Sequence, residues 1–246
     1  PESWLSSGGQ DRLRFDGVES QIIVWVNGQW IGMARGSRLA HEFDITEALV
    51  PGENTVTLRV HQFSAGSYLE DQDQWWLPGV FRSVSLRYLP DFSIEDLWIN
   101  TDYEAGQGFA TLELRVRGAQ SETLEANLEI EGLATSVLTL ARGEDGRYRS
   151  ENIGLGTVQS WSAQSPKLYA ARVQAVGEGG RLTEERHLRL GFRRVEIVDG
   201  VLQANGHPLK LNGVNRHEIR ADEGRVFSEE FARTDLELMK SMGINA

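Results

Sequence analysis

Apolar and polar residues alternate along most of the chain with the two-residue period of half-buried β-strands. The clearest case is QIIVWVNGQWIGM at residues 21–33, where two β-branched and aromatic runs flank Asn27-Gly28. That dipeptide tolerates the positive φ angles of a type I′ turn, so a hairpin is predicted there. NTVTLRVHQF and VFRSVSLRYL add strands, the second with Val84, Leu86 and Tyr88 alternating with Ser83, Ser85 and Arg87 as a half-buried strand should. Residues 1–90 therefore read as all-β.

A break at Leu89-Pro90-Asp91 opens a second series: SIEDLWIN, FATLELRVRG, TLEANLEIEG, TSVLTLARG, YRSENIGL, LYAARVQAVG and RLTEERHLRLGF. Short strands between Gly, Asp and Ser turns predict an immunoglobulin-like β-sandwich over residues 91–192, without the Cys…Trp…Cys signature of antibody domains. After Arg193 the pattern changes. LKLNGVN at residues 209–215 reads as a strand and Ser228 as a helix cap, with Phe231, Leu238 and Met242 on one helical face broadened by Ala232, Leu236 and Met239. Glu229 and Glu230 suit the positive end of the helix dipole and Lys240 the negative end. Gly243 can supply a left-handed cap, and Ile244 begins another strand. Strand, loop, helix and strand make a βα repeat, so residues 193–246 are predicted to be the start of an α/β domain. No internal repeat or low-complexity tract competes with this division.

Charge narrows the partners. Lys plus Arg number 25 against 36 Asp plus Glu, a net charge of −11 that repels polyphosphate and anionic headgroups, so neither nucleic acid nor membrane is an expected partner. No run approaches the roughly 18–20 consecutive apolar residues of a membrane span, and no signal segment opens the chain. The absence of cysteine excludes disulfides, zinc thiolate sites and a thiol nucleophile. With no Asn-x-Ser/Thr sequon either, a cytoplasmic location is expected. Opening on Pro1 and ending at Ala246 just as an apolar run begins, the chain reads as a piece cut at both ends.

Two clusters could carry chemistry. Asn215-Arg216-His217-Glu218 directly follows the predicted barrel strand, at the end where barrel sites form. The same residues also fit a plain surface arrangement, with Arg216 paired to Glu218 and His217 against a loop. The second cluster is Glu70-Asp71-Gln72-Asp73, set between Tyr68 and Trp75-Trp76. Rings beside carboxylates suit carbohydrate, because rings cover the apolar face of a sugar while carboxylates accept from its hydroxyls. A solvated acidic loop pinned by tryptophans is the plainer alternative, and the spacing fits no EF-hand. His41, His61, His187 and His207 are scattered and read as strand or loop residues. Gly154-x-Gly156 lacks a third glycine, and no Gly-x-Ser-x-Gly elbow exists.

Taken in order, ESWL at 2, RLRFDGVES at 12, VNGQWIG at 26, SRLAHEFDIT at 37, SYLEDQDQWWLPGVFR at 67, WSAQSPKLY at 161 and LGFRRVEIVDGVLQANGHPLKLNGVNRHE at 190 resemble the β-galactosidase branch of glycoside hydrolase family two. The resemblance implies a mainly β chain: a jelly-roll sugar-binding domain over 1–90, an immunoglobulin-like β-sandwich over 91–192, and the first βα unit of a catalytic (β/α)8 barrel over 193–246. It implies that Asp73 serves the galactose subsite and a bound sodium ion, and that His217 reaches the sugar and supports the transition state. Magnesium is implied too, with ligands outside this chain, as is a homo-oligomer for the full-length protein. The implied reaction is retaining hydrolysis of terminal β-D-galactosides such as lactose by two carboxylates roughly 5–5.5 Å apart. Both fall beyond Ala246, so Glu218 reads as structural and the chain alone as inactive. Trp76 stands where an arginine is familiar, and Ile219-Arg220-Ala221 replaces a His- or Asp-Pro-containing loop. β-Glucuronidase and β-mannosidase share the domain order but lack the SYLEDQDxW…GxFR segment. A non-catalytic carbohydrate-binding module is the alternative from another class, and the uncovered apolar face of the 228–242 helix argues against it.

Overall fold

The structure, a computed structural model, describes residues 8–70 and 75–246. Packing divides the chain into two compact units, Pro1–Pro90 with Asn212–Ala246, and Asp91–Leu211.

The first unit contains β1 (Gln10–Phe15), β2 (Val18–Glu19), β3 (Gln21–Val26), β4 (Gln29–Arg35), β5 (His41–Asp44), β6 (Val56–His61), β7 (Gly79–Val80) and β8 (Val84–Leu89). They pair antiparallel as β5-β1-β8, β4-β3-β6 and β2-β7. Alternate residues enter one core: Leu13, Phe15 and Phe43 from the first sheet, Ile22, Val24 and Val26 from the second. The sheets approach closely at Gly32, where a Cβ would lie 3.1 Å from the Phe43 ring. The predicted hairpin joins β3 to β4, with Asn27 at φ 50° and Gly28 at φ 81°, as a type I′ turn requires. β8 departs from its expected burial. Val84 and Leu86 are 48% and 47% exposed and Leu89 is the buried residue, so the apolar face of β8 is left largely uncovered.

The second unit contains β9 (Ser93–Glu104), β10 (Gln107–Arg117), β11 (Thr123–Ile130), β12 (Ala134–Arg142), β13 (Tyr148–Arg149), β14 (Ile153–Thr157), β15 (Tyr169–Val176) and β16 (Arg186–Leu190). Its core is a period-two set drawn from these strands, including Leu112, Leu114, Leu124, Leu128, Ile130 and Val173. YRSENIGL forms two short strands rather than one. The Ser150 Oγ accepts from the Leu112 amide at 2.9 Å, taking the place of a backbone carbonyl and interrupting the ladder. A small meander follows, β17 (Val195–Val198), β18 (Val201–Ala204) and β19 (His207–Pro208), turned at Asp199-Gly200 and Asn205-Gly206, all four with positive φ. Arg194 Nε donates to Asp102 at 3.0 Å and Asn205 Nδ2 to the Trp161 carbonyl at 3.1 Å, which ties the meander to this sandwich.

Residues 209–215, expected as a strand, form no regular ladder. Asn245 N donates to Asn212 O at 3.0 Å and Val214 N to Ala246 O at 3.1 Å, so two segments run side by side in the same direction with too few bonds for a strand. The helix α1 (Glu229–Ser241) forms as expected. Ser228 Oγ accepts from Phe231 N at 3.3 Å, and Gly243 adopts φ 77° after its end. The fold class is mainly β, two sandwiches followed by a strand-like segment and helix.

Candidate functional site

The aromatic and acidic segment is held at both ends. Before it, a 3₁₀ turn at Ala65–Tyr68 is closed reciprocally, with Ser64 Oγ accepting from Gly66 N at 3.1 Å and Ser67 Oγ from Ser64 N at 3.0 Å. The Glu70 carboxylate then accepts from both the amide and the hydroxyl of Ser37. After it, Trp76 packs on Phe63 with ring centres 5.5 Å apart, while Trp75 stays 66% exposed. Asp73, with Asp71 and Gln72, lies outside the described residues.

Beside this segment lies a buried charge cluster. Glu19 of β2 and Arg225 form an ion pair with side chains 7% and 6% exposed. Arg38 Nη1 stands 3.7 Å from the same carboxylate, and the Arg225 guanidinium lies 4.2 Å from the centre of the Phe81 ring. Arg225 also donates to the Leu77 carbonyl at 3.5 Å. Burial lowers the Arg38 pKa, the positive charge of Arg225 lowers it further, and Glu19 opposes both. Sequence reasoning missed this cluster. The available signal was an acidic residue within the apolar run Val18 to Val26, since Glu is rarely buried unless paired.

His217 is exposed, and its carbonyl accepts from Ile219 N at 3.1 Å. Arg216, read as a surface partner of Glu218, stands 3.9 Å from it but donates through Nε to Asp235 of α1 at 2.8 Å. Its guanidinium also lies over Phe231, 5.8 Å from the ring centre. Glu218 lines a groove of about 610 Å³ with Asp16, Phe81, Arg82 and Phe227. His41, His61, His187 and His207 lie on β5, β6, β16 and β19. Among the described residues no group of three His, Asp or Glu side chains converges as a metal site, and Glu70 is already engaged by Ser37.

A set of family models matches the chain end to end. The glycosyl hydrolases family 2 sugar binding domain matches residues 1–90, the glycosyl hydrolases family 2 model 92–193, and the family 2 TIM barrel domain 195–246. A β-galactosidase of Arthrobacter sp. (strain B7) is 46% identical over the whole chain, which covers 23% of that protein. One from Enterobacter cloacae is 37% identical, again over the whole chain, with 25% of it covered. The chain thus spans about a quarter of the length of the curated relatives it matches. Among solved structures, a Bifidobacterium dentium β-glucuronidase complexed with coumarin-3-O-glucuronide superposes with TM-score 0.80 at 21% identity, over 98% of this chain and 46% of that one. An uncultured Clostridium sp. β-glucuronidase gives 0.80 at 24%, over 100% and 42%. At such identities these likenesses show the fold alone. The sandwiches, the helix that follows them and the three matching models together establish that the chain belongs to glycosyl hydrolase family 2.

Proposed function

We propose that this chain is part of a retaining β-galactosidase, in which it supplies sugar-contacting loops while the nucleophile and acid/base lie on later barrel strands. The carrying observation is the 46% and 37% identity, over the whole chain, to proteins named β-galactosidase. Local chemistry supports the reading. Trp75 and Trp76 offer rings to the apolar face of a pyranose, Asp73 offers a carboxylate to its hydroxyls, and His217 offers a hydrogen-bonding group. Asp73 also supplies the hard oxygen that sodium favours. A β-glucuronidase would need fixed positive charge facing the sugar carboxylate, so a substrate comparison separates the two. The longer protein is expected to turn over an aryl β-galactoside at least ~100-fold better in kcat/KM than the matching β-glucuronide, a difference of about 2.7 kcal/mol. Preference for the glucuronide would overturn the reading.

A further inference from the structure

Arg225 lies 206 residues from Glu19 along the chain, yet their nearly buried side chains meet. A buried ion pair contributes little net stability compared with apolar residues of the same volume, so its presence points to a role in fixing geometry. Its remaining contacts show what is fixed. Glu19 belongs to β2, which pairs with Gly79–Val80, and Arg225 reaches Leu77 and covers Phe81, all just after Trp75-Trp76. Arg38, the second cation on Glu19, follows Ser37, which grips Glu70 just before Asp71 to Asp73. In the other direction Arg225 belongs to the same loop as His217, ahead of α1. That loop is closed by reciprocal 2.8 Å bonds between the backbones of Arg220 and Gly224, and Ile219 N donates to the His217 carbonyl at 3.1 Å. Arg225 and His217 are therefore joined by a short stretch of hydrogen-bonded backbone.

We propose that Arg225, held by Glu19 beside Arg38, is a positioning residue that sets the loop carrying His217 against the Leu77–Phe81 stretch. This rests on the reading of His217 as a sugar contact given above. A guanidinium suits the task where an ammonium does not, because its flat face covers Phe81 while its edge reaches Glu19 and Leu77.

A double-mutant cycle in the longer protein, read as kcat and KM on an aryl β-galactoside, tests this. Arg225→Gln alone is expected to lower kcat/KM about tenfold or more, chiefly through kcat, with Arg225→Lys recovering only part. In a His217→Ala background the same change is expected to matter less than about twofold, because a group that acts by placing His217 then has nothing to place. An equal effect in both backgrounds would show a general structural role and overturn the proposal. So would an Arg225→Gln protein indistinguishable from the parent. If His217→Ala itself leaves kcat/KM unchanged, the sugar-contact reading fails first and takes this proposal with it, a pattern distinct from the other two. Where Arg225→Gln does not fold, Glu19→Gln and Arg225→Lys go through the same cycle, with the same non-additivity expected and additivity again overturning it.

Discussion

Asn27 shows how much one side chain can settle. Besides tolerating φ 50°, its amide donates to Ala48 O at 2.8 Å and Asn54 Oδ1 at 2.7 Å, and its Oδ1 accepts from Thr55 N at 2.9 Å. Turn and neighbouring loop are thereby fixed together. Asp73 and His217 should be separable in the same residue-by-residue way. On the function proposed above, Asp73→Ala would remove ground-state sugar contacts and is expected chiefly to raise KM, whereas His217→Ala would remove a contact that strengthens as charge develops and is expected chiefly to lower kcat. A hundredfold loss at His217 corresponds to about 2.7 kcal/mol, ordinary for one preorganised hydrogen-bonding group. Steady-state kinetics in the longer protein checks this, and values within about twofold of the parent for either variant would remove that residue from the site. Residues such as Asn27 were legible because their signal is local. Glu19 and Arg225 were not, since no spacing rule connects partners that far apart and nothing in the sequence states which buried acid meets which arginine.

The three-stranded sheet β5-β1-β8 is stitched across its surface by a single acid. Glu42 of β5 accepts from Arg12 at 3.1 Å and Arg14 at 2.9 Å on β1, and from Arg87 at 2.7 Å on β8. Burial pushes its carboxyl pKa up, but the hydrogen bonds from Arg14, Arg12 and Arg87 outweigh burial and hold it below its ordinary value of 4.5. A carboxyl depressed in the folded state contributes stability that is present above the unfolded value and lost as pH falls through the folded one. Denaturant midpoints measured from about pH 6 down to about pH 3 should therefore fall less for Glu42→Gln than for the parent. Parallel curves for the two proteins would show that the stitch contributes nothing. At this scale the strands of both sandwiches and α1 were readable from periods of two and 3.6. The β17–β19 meander was passed over although Asp199-Gly200 and Asn205-Gly206 carry the same turn signal as Asn27-Gly28. LKLNGVN misled for a different reason: an apolar run becomes a strand only where neighbours supply a regular set of backbone partners, and here the bonds are scattered, from Leu209 N to Leu202 O, from Asn212 N to the Asn245 side chain, and with the backbones of Asn245 and Ala246.

At the scale of the molecule, the second sandwich and α1 differ sharply in how much of their surface they bury. In the second sandwich Leu114 and Val173 are fully buried and Leu112, Leu128 and Ile130 nearly so, spread over β10, β11 and β15. α1 buries no residue, and Leu236, Leu238 and Met242 are 60%, 55% and 67% exposed. Helices shorter than about 12–15 residues are marginal in water when packing does not support them. The Ser228 cap, the 3.0 Å Glu229–Arg233 pair and the Arg216–Asp235 bond supply at most about a kilocalorie each. Opening α1 should therefore cost far less than opening the second sandwich. In hydrogen exchange on the 246-residue chain, α1 amides are expected to be roughly a hundredfold or more less protected than those of β10 and β11. Equal protection would mean that burial does not set the stability of this helix. The barrel reading adds a second expectation, because a closed (β/α)8 ring packs each helix against its strands. In the longer protein the same amides should become protected along the face carrying Phe231, Leu238 and Met242 first. Exchange that stays as fast there as in the shorter chain would show that no barrel covers α1, and the placement of His217 at the mouth of such a barrel would lose its basis.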